Sequence, residues 1–162
     1  MHAYLIVLEI TPLQIGAKYD MLPLHCTLAH WFWVDASPEV LAERLAESLV
    51  NVEPIVLEAR GEQIFTGKTK HGTVSVTVND IVLTPQLRKL HGKICDILDG
   101  MDARYSEPQY MRDGYHPHVT HQKNEQLEPG ETHLSTTLYL IDAYAPEYGN
   151  SRTVRAAISL RL

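Results

Sequence analysis

The chain has 162 residues, 44% of them hydrophobic, and a formal net charge of −6 at pH 7. That supplies a sizeable core for one domain spanning residues 1–162 and is too apolar for wholesale disorder. No apolar run approaches the roughly 20 residues of a membrane-spanning helix, and beyond Lys68 and Lys70 there is no basic run of the kind that grips long duplex nucleic acid.

The opening residues, MHAYLIVLEITP, lack a basic leader and a small-residue cleavage site. They read as a strand, and a cytoplasmic location is expected. Residues 4–10 form an apolar, β-branched run typical of a buried strand. After a loop with Pro12, Gly16 and Pro23, residues 24–34 give a second strand rich in aromatics. Ser37-Pro38 places a capping serine before a proline, and Leu41, Leu45 and Leu49 then recur at helical spacing to about Val50. Residues 55–65 read as a strand with Gly61 as a bulge, residues 67–72 as a turn, and Val74, Val76 and Val78 as an alternating strand. Thr84-Pro85 repeats the cap-and-proline start, and Leu87, Leu90, Ile94 and Ile97 carry a second helix to a stop at Gly100. Strands are expected over 115–122, over 136–145 and from Val154 to the last residue, with a turn at Tyr148-Gly149-Asn150.

Strands broken by two helices predict an α+β fold of mostly antiparallel sheet with outer helices. A coarse duplication is visible. Each half of the chain offers a histidine-bearing strand, two later strands and an assignable helix, so a bilobal arrangement about a central cleft is expected. Cys26 and Cys95 do not make a disulfide framework and are expected to be buried thiols.

The candidate chemistry lies in His25-Cys26-Thr27 and His118-Val119-Thr120. On a strand, residues two apart share a face, so each histidine projects with its threonine. If both strands line one cleft, two imidazoles and two hydroxyls converge. That set suits a phosphodiester: one imidazole takes a proton, the other donates one, and the hydroxyls hold the non-bridging oxygens. With nine histidines in the chain, composition alone gives about one such pair by chance. His71-Gly72-Thr73 and His133-Leu134-Ser135 also match, but the first lies in a glycine-rich turn and the second follows a Pro-Gly loop.

LPLHCTLAHW and YHPHVTH resemble the two signature motifs of the 2H phosphoesterase superfamily, which includes 2′-5′ RNA ligase-like and 2′,3′-cyclic nucleotide phosphodiesterase-like proteins. The resemblance covers the whole chain. It implies a pseudo-symmetric bilobal fold, metal-free phosphodiester chemistry at a ribose 2′ position, catalytic roles for His25, Thr27, His118 and Thr120, and no cofactor. An apolar residue follows the motif threonine in that family; Leu28 stands there in the first motif, His121 in the second.

Around these pairs, Tyr115, Trp31, Lys70 and Arg155 are candidate substrate-binding residues. Trp31 and Trp33 have the parity of His25 and either stack a base or continue the core. Lys68 is a further candidate phosphate partner, and Lys123 is expected to face solvent. His116, His118 and His121 raise a rival reading, a metal hydrolase with a fourth ligand from His133 or a carboxylate, although His121 points away unless the strand bends. A third reading is a nucleotide or RNA-end binding module without turnover. The expected partner is a small nucleotide or an RNA end, with no membrane and a monomeric chain.

Overall fold

The computed structural model describes residues 3–69, 72–143 and 151–161. In chain order its elements are β1 (Ala3–Glu9), β2 (Lys18–Tyr19), β3 (His25–Trp33), α1 (Pro38–Ser48), β4 (Ile55–Thr69), β5 (Gly72–Ile81), α2 (Pro85–Asp99), β6 (Arg104–Tyr105), β7 (His118–Thr120), β8 (Thr132–Ser135), β9 (Thr137–Ala143) and β10 (Arg152–Ser159). Two short 3-10 turns, Pro108–Tyr110 and Arg112–Gly114, lie between β6 and β7.

The strands form two antiparallel sheets, a larger one in the order β2-β10-β9-β1-β3-β6 and a smaller one in the order β7-β5-β4-β8. The apolar run of β1 explains its central place, since Ala3 through Leu8 are all buried and both faces meet partners. Tyr4, Ile6 and Leu8 join the main core with Leu41 and Leu45 of α1 and Leu87, Leu90 and Ile94 of α2. Leu5 and Val7 face the other way, into a smaller cluster with Leu13, Leu22, Tyr139, Ile141 and Val154. Both helices start as the sequence predicts: Ser37 Oγ accepts from the Val40 N–H at 3.2 Å and Thr84 Oγ1 from the Leu87 N–H at 3.2 Å.

The sheets do not correspond to successive halves of the chain. β1, β3, β9 and β10 build the larger sheet, and the smaller one is cut from the middle. Ile55, Leu57, Ala59, Ile81 and Val119 of the smaller sheet enter the same main core as both helices, so the helices do not divide one to each lobe. β4 crosses the bulge expected at Gly61, seen as a register shift between Ala59 and Glu62. The strand expected over 136–145 is β9, described to Ala143; the strand just before it, β8, was not expected and pairs with β4 of the other sheet, the chain changing sheets between Ser135 and Thr137. The strand expected over 115–122 shrinks to His118–Thr120, since Pro117 has no N–H and the preceding turns set the approach. The turn expected at Tyr148-Gly149-Asn150 lies outside the described residues. Cys26 and Cys95 are both buried free thiols. Among the described residues, no helix is long and apolar enough to cross a membrane.

Candidate active site

The site lies where an edge of one sheet meets an edge of the other. β6 covers β3 only at Phe32 and Trp33, leaving the stretch from Cys26 to Leu28 open on that side. β7 is the terminal strand of the smaller sheet and packs against this stretch. In both motifs the middle residue, Cys26 or Val119, is fully buried, while the histidine and threonine on either side are half-buried. The alternation therefore turns both HxT pairs away from the main core. The Cys26 thiol lies within hydrogen-bond reach of the His118 backbone N–H, and burial pushes its pKa up to about 12.

The two imidazoles are held alike. Nδ1 of His25 meets the Pro23 carbonyl at 2.7 Å, and Nδ1 of His118 meets the His116 carbonyl at 2.9 Å, each two residues back along the chain. A carbonyl only accepts, so Nδ1 carries the proton and Nε2 is left as the nitrogen that exchanges protons with a substrate. Burial lowers the pKa of His25, against the Pro23 hydrogen bond, and the nearby charges of His118, Arg152 and His30 lower it further. Burial also lowers that of His118, opposed by the His116 carbonyl and by Asp80. The two rings thus sense one another, and a proton on one disfavours a second. Among the described residues, neither Thr27 nor Thr120 has a hydroxyl hydrogen-bond partner, so both hydroxyls are available to a bound oxyanion.

Residues from several elements frame the pairs. Phe65 of β4 sets its ring edge-on to His118 at 4.7 Å between centroids and to His116 at 5.1 Å. Trp31 packs on the smaller apolar cluster with Val7 and Val154, and the Arg152 guanidinium sits 5.9 Å from its ring centroid. The Arg152 side chain also donates to the Asp20 carbonyl. His30 pairs with Glu107 at 3.6 Å.

The other residues singled out in the sequence lie differently. Tyr115 does not offer its hydroxyl to the cleft, because that group donates to the Thr27 carbonyl at 2.8 Å. Arg155 is drawn to Asp142 at 3.1 Å, opposite Tyr4 in register and so on the helix-covered side of the larger sheet, away from His25. A register shift between Val154 and Ala156 falls at Arg155 and breaks the simple alternation. Trp33 borders a hollow with Asp35, Asp102 and Arg104. Lys70 lies outside the described residues, as does the side chain of Lys68. Arg152, Phe65 and His30 were the residues missed. The parity of Arg152 with Val154 on the last strand was the available signal for the first; Phe65 and His30 carry none.

His116, His118 and His121 do not converge. Nε2 of His116 meets Asp80 Oδ1 at 2.7 Å, and Nε2 of His121 meets Asn79 Oδ1 at 2.7 Å, with Asn79 in turn donating to the Arg60 carbonyl at 3.0 Å. His121, where the family pattern has an apolar residue, is thus a hydrogen-bonded structural histidine. Among the described residues, no group of three metal-ligating side chains is gathered.

The arrangement can place a base and an acid around one phosphorus, with two hydroxyls for the non-bridging oxygens. A family model described as the 2′-5′ RNA ligase superfamily matches residues 7–144. Among solved structures, one described as a phosphoesterase aligns over 100% of both chains with a TM-score of 0.60 at 14% identity. Escherichia coli LigT complexed with NADP+ aligns over 99% of this chain and 98% of its own, with a TM-score of 0.59 at 15% identity. Its complex with 3′-AMP covers 99% of both, with a TM-score of 0.58 at 15% identity. At such identities these likenesses are of fold. No curated protein matches the sequence.

Proposed function

We infer the chemistry of this chain from its family: it belongs to the 2′-5′ RNA ligase superfamily, the 2H phosphoesterases. On that premise we propose a metal-independent phosphodiesterase that acts on a small nucleotide or an RNA terminus. A 2′,3′-cyclic phosphate or a 2′-5′ linkage is the leading substrate class, and a cyclic or oligonucleotide signal would meet the same chemistry. The observation that carries the proposal is the matched pair of imidazoles on separate sheets, each locked through Nδ1 to a carbonyl two residues back and each beside an unengaged threonine hydroxyl.

In hydrolysis, Nε2 of one histidine takes a proton from water as its oxygen forms a bond to phosphorus. The other histidine, protonated, gives its proton to the leaving oxygen as the old P–O bond breaks. The proton states of the two rings are then exchanged. Thr27 and Thr120 donate to the non-bridging oxygens, where the negative charge resides. The net charge of −6 suits a small substrate held in a cleft rather than a long polyanion. The small nucleotides seen with LigT support this choice.

A mass-spectrometric screen against a 2′,3′-cyclic nucleotide, a 2′-5′ dinucleotide and a cyclic dinucleotide, with and without EDTA, tests the proposal. Turnover that persists in EDTA and is lost in both His25→Ala and His118→Ala is expected. Turnover abolished by EDTA would favour a metal hydrolase, and binding without turnover would reduce the site to a recognition module.

A further inference from the structure

β3 and β7 belong to different sheets, so no backbone ladder sets the distance between the two HxT pairs. Side chains set it instead. A register shift in β3 between Thr27 and Ala29 leaves Leu28 as an extra residue against β1. The consecutive carbonyls of Thr27 and Leu28 are both met by side chains: the Tyr115 hydroxyl reaches Thr27 O at 2.8 Å, and His91 Nδ1 reaches Leu28 O at 2.8 Å. The two rings stack on each other, with centroids 3.9 Å apart and planes 3° from parallel.

This stack is itself anchored. His91 Nε2 accepts the Arg112 backbone N–H at 2.9 Å, so the ring is neutral with its proton on Nδ1. Arg112 adopts a left-handed φ of 60°, and its guanidinium bridges Asp96 at 2.7 Å and Asp99 at 2.5 Å on α2. The Tyr115 N–H donates to the Arg112 carbonyl at 3.1 Å. From Tyr115 the chain runs through His116 and the stiff Pro117 directly into His118. A displacement of the Tyr115 ring therefore passes to the His118 imidazole.

We propose that Tyr115 is a positioning residue: its hydroxyl on the Thr27 carbonyl, with its ring backed by His91, sets the separation of the two imidazoles. It touches no reacting atom. The proposal rests on the two-histidine reading above.

Tyr115→Phe removes only the hydroxyl and keeps the stack. It should lower kcat about tenfold with KM little changed, the pattern of a misaligned acid–base pair. In a His118→Ala background the same change should add nothing to the loss. A readout independent of turnover is NMR titration of the His25 and His118 ring protons, assigned from the two alanine variants. The two titration steps should draw closer in Tyr115→Phe, because mutual repulsion falls with distance. His91→Phe, which keeps an aromatic stack but loses both carbonyl and N–H partners, should act in the same direction and serves if the first variant fails to fold. Unchanged kcat and unchanged ring titrations, even with a lowered melting temperature, would make Tyr115 merely structural. Were the alanine variants themselves fully active, the two-histidine reading would fail, and the ring titrations would still decide whether Tyr115 sets the spacing.

Discussion

The strand that carries His25 is nine residues long and is paired to β1 from Trp33 down to His25 itself, whereas the strand that carries His118 has three residues and, among the described residues, pairs with β5 alone. The first imidazole is thus located by backbone pairing to the most buried strand of the molecule. The second has a much shorter backbone ladder, against β5, and leans in addition on side chains: Phe65 against its ring, Asp80 on the neighbouring His116, and Tyr115 across the gap. Identical local geometry at the two rings conceals this difference in support. It implies that substitutions remote from the chemistry disturb His118 far more readily than His25.

The strongest way to break the comparison is to remove each ring. His25→Ala and His118→Ala should each lower kcat by at least about a hundredfold, the scale of general acid–base catalysis, with circular dichroism unchanged. A loss in one variant alone would end the equivalence. Phe65→Ala comes next. It should lower kcat by about tenfold through misplacement of His118, and the ring titration of His118 should move while that of His25 stays.

Opposed charge changes then sharpen the comparison. Both imidazoles are lowered from the ordinary 6.5, so the bell of kcat/KM against pH should centre on the acid side of that value. Asp80 holds the His118 proton on, so Asp80→Asn should move the His118 limb to lower pH. Arg152 drives the His25 proton off, so Arg152→Gln should move the His25 limb to higher pH, and raise KM if Arg152 meets the substrate. Shifts below about one pH unit are expected for such partly solvated charges. Steady-state profiles of the two variants would assign each limb to a ring; movement of both limbs in the same direction would contradict the assignment.

The smallest effect is on stability. His25, His91 and His118 all titrate below 6.5 in the folded chain, mainly because burial penalises their charged forms. The unfolded chain therefore binds more protons below that value. Stability is fully present above pH 6.5 and is lost as pH falls through the folded-state values. Differential scanning calorimetry between pH 7.5 and 5 should show a melting temperature lower by a few degrees (roughly 2 to 8 °C) at the acid end. His91→Phe should flatten that dependence.

Much of this was legible in the residues. Ser37-Pro38 and Thr84-Pro85 start helices, and both HxT pairs project as alternation requires, because these signals are local. What escaped was set by distant partners. Arg155 was singled out and Arg152 passed over because the pairing of β10 is not visible in the sequence: a register shift falls between Val154 and Ala156, and Asp142 on the neighbouring strand draws Arg155 away. Trp31 kept the face expected of it only because β3 carries two irregularities against β1, not none. Tyr115 looked free to meet a substrate because nothing near it in sequence reveals an open carbonyl on Thr27. β6 is too short to leave a pattern, and the break at Thr136 reflects a change of sheet rather than a change of residue type.

The placement of β1 between β3 and β9 bears on how the chain is made. Leu5 must wait for Ile141 before the inner edge of its sheet closes. While a ribosome is still translating the middle of the message, the β4–β5 ribbon can form from neighbouring residues, but the most apolar strand stays unpaired on one side. Such long-range closure is slow and exposes a sticky edge in the meantime. Nascent chains stalled after α2 should accordingly need chaperone protection, because β1 then still lacks β9 on its open side.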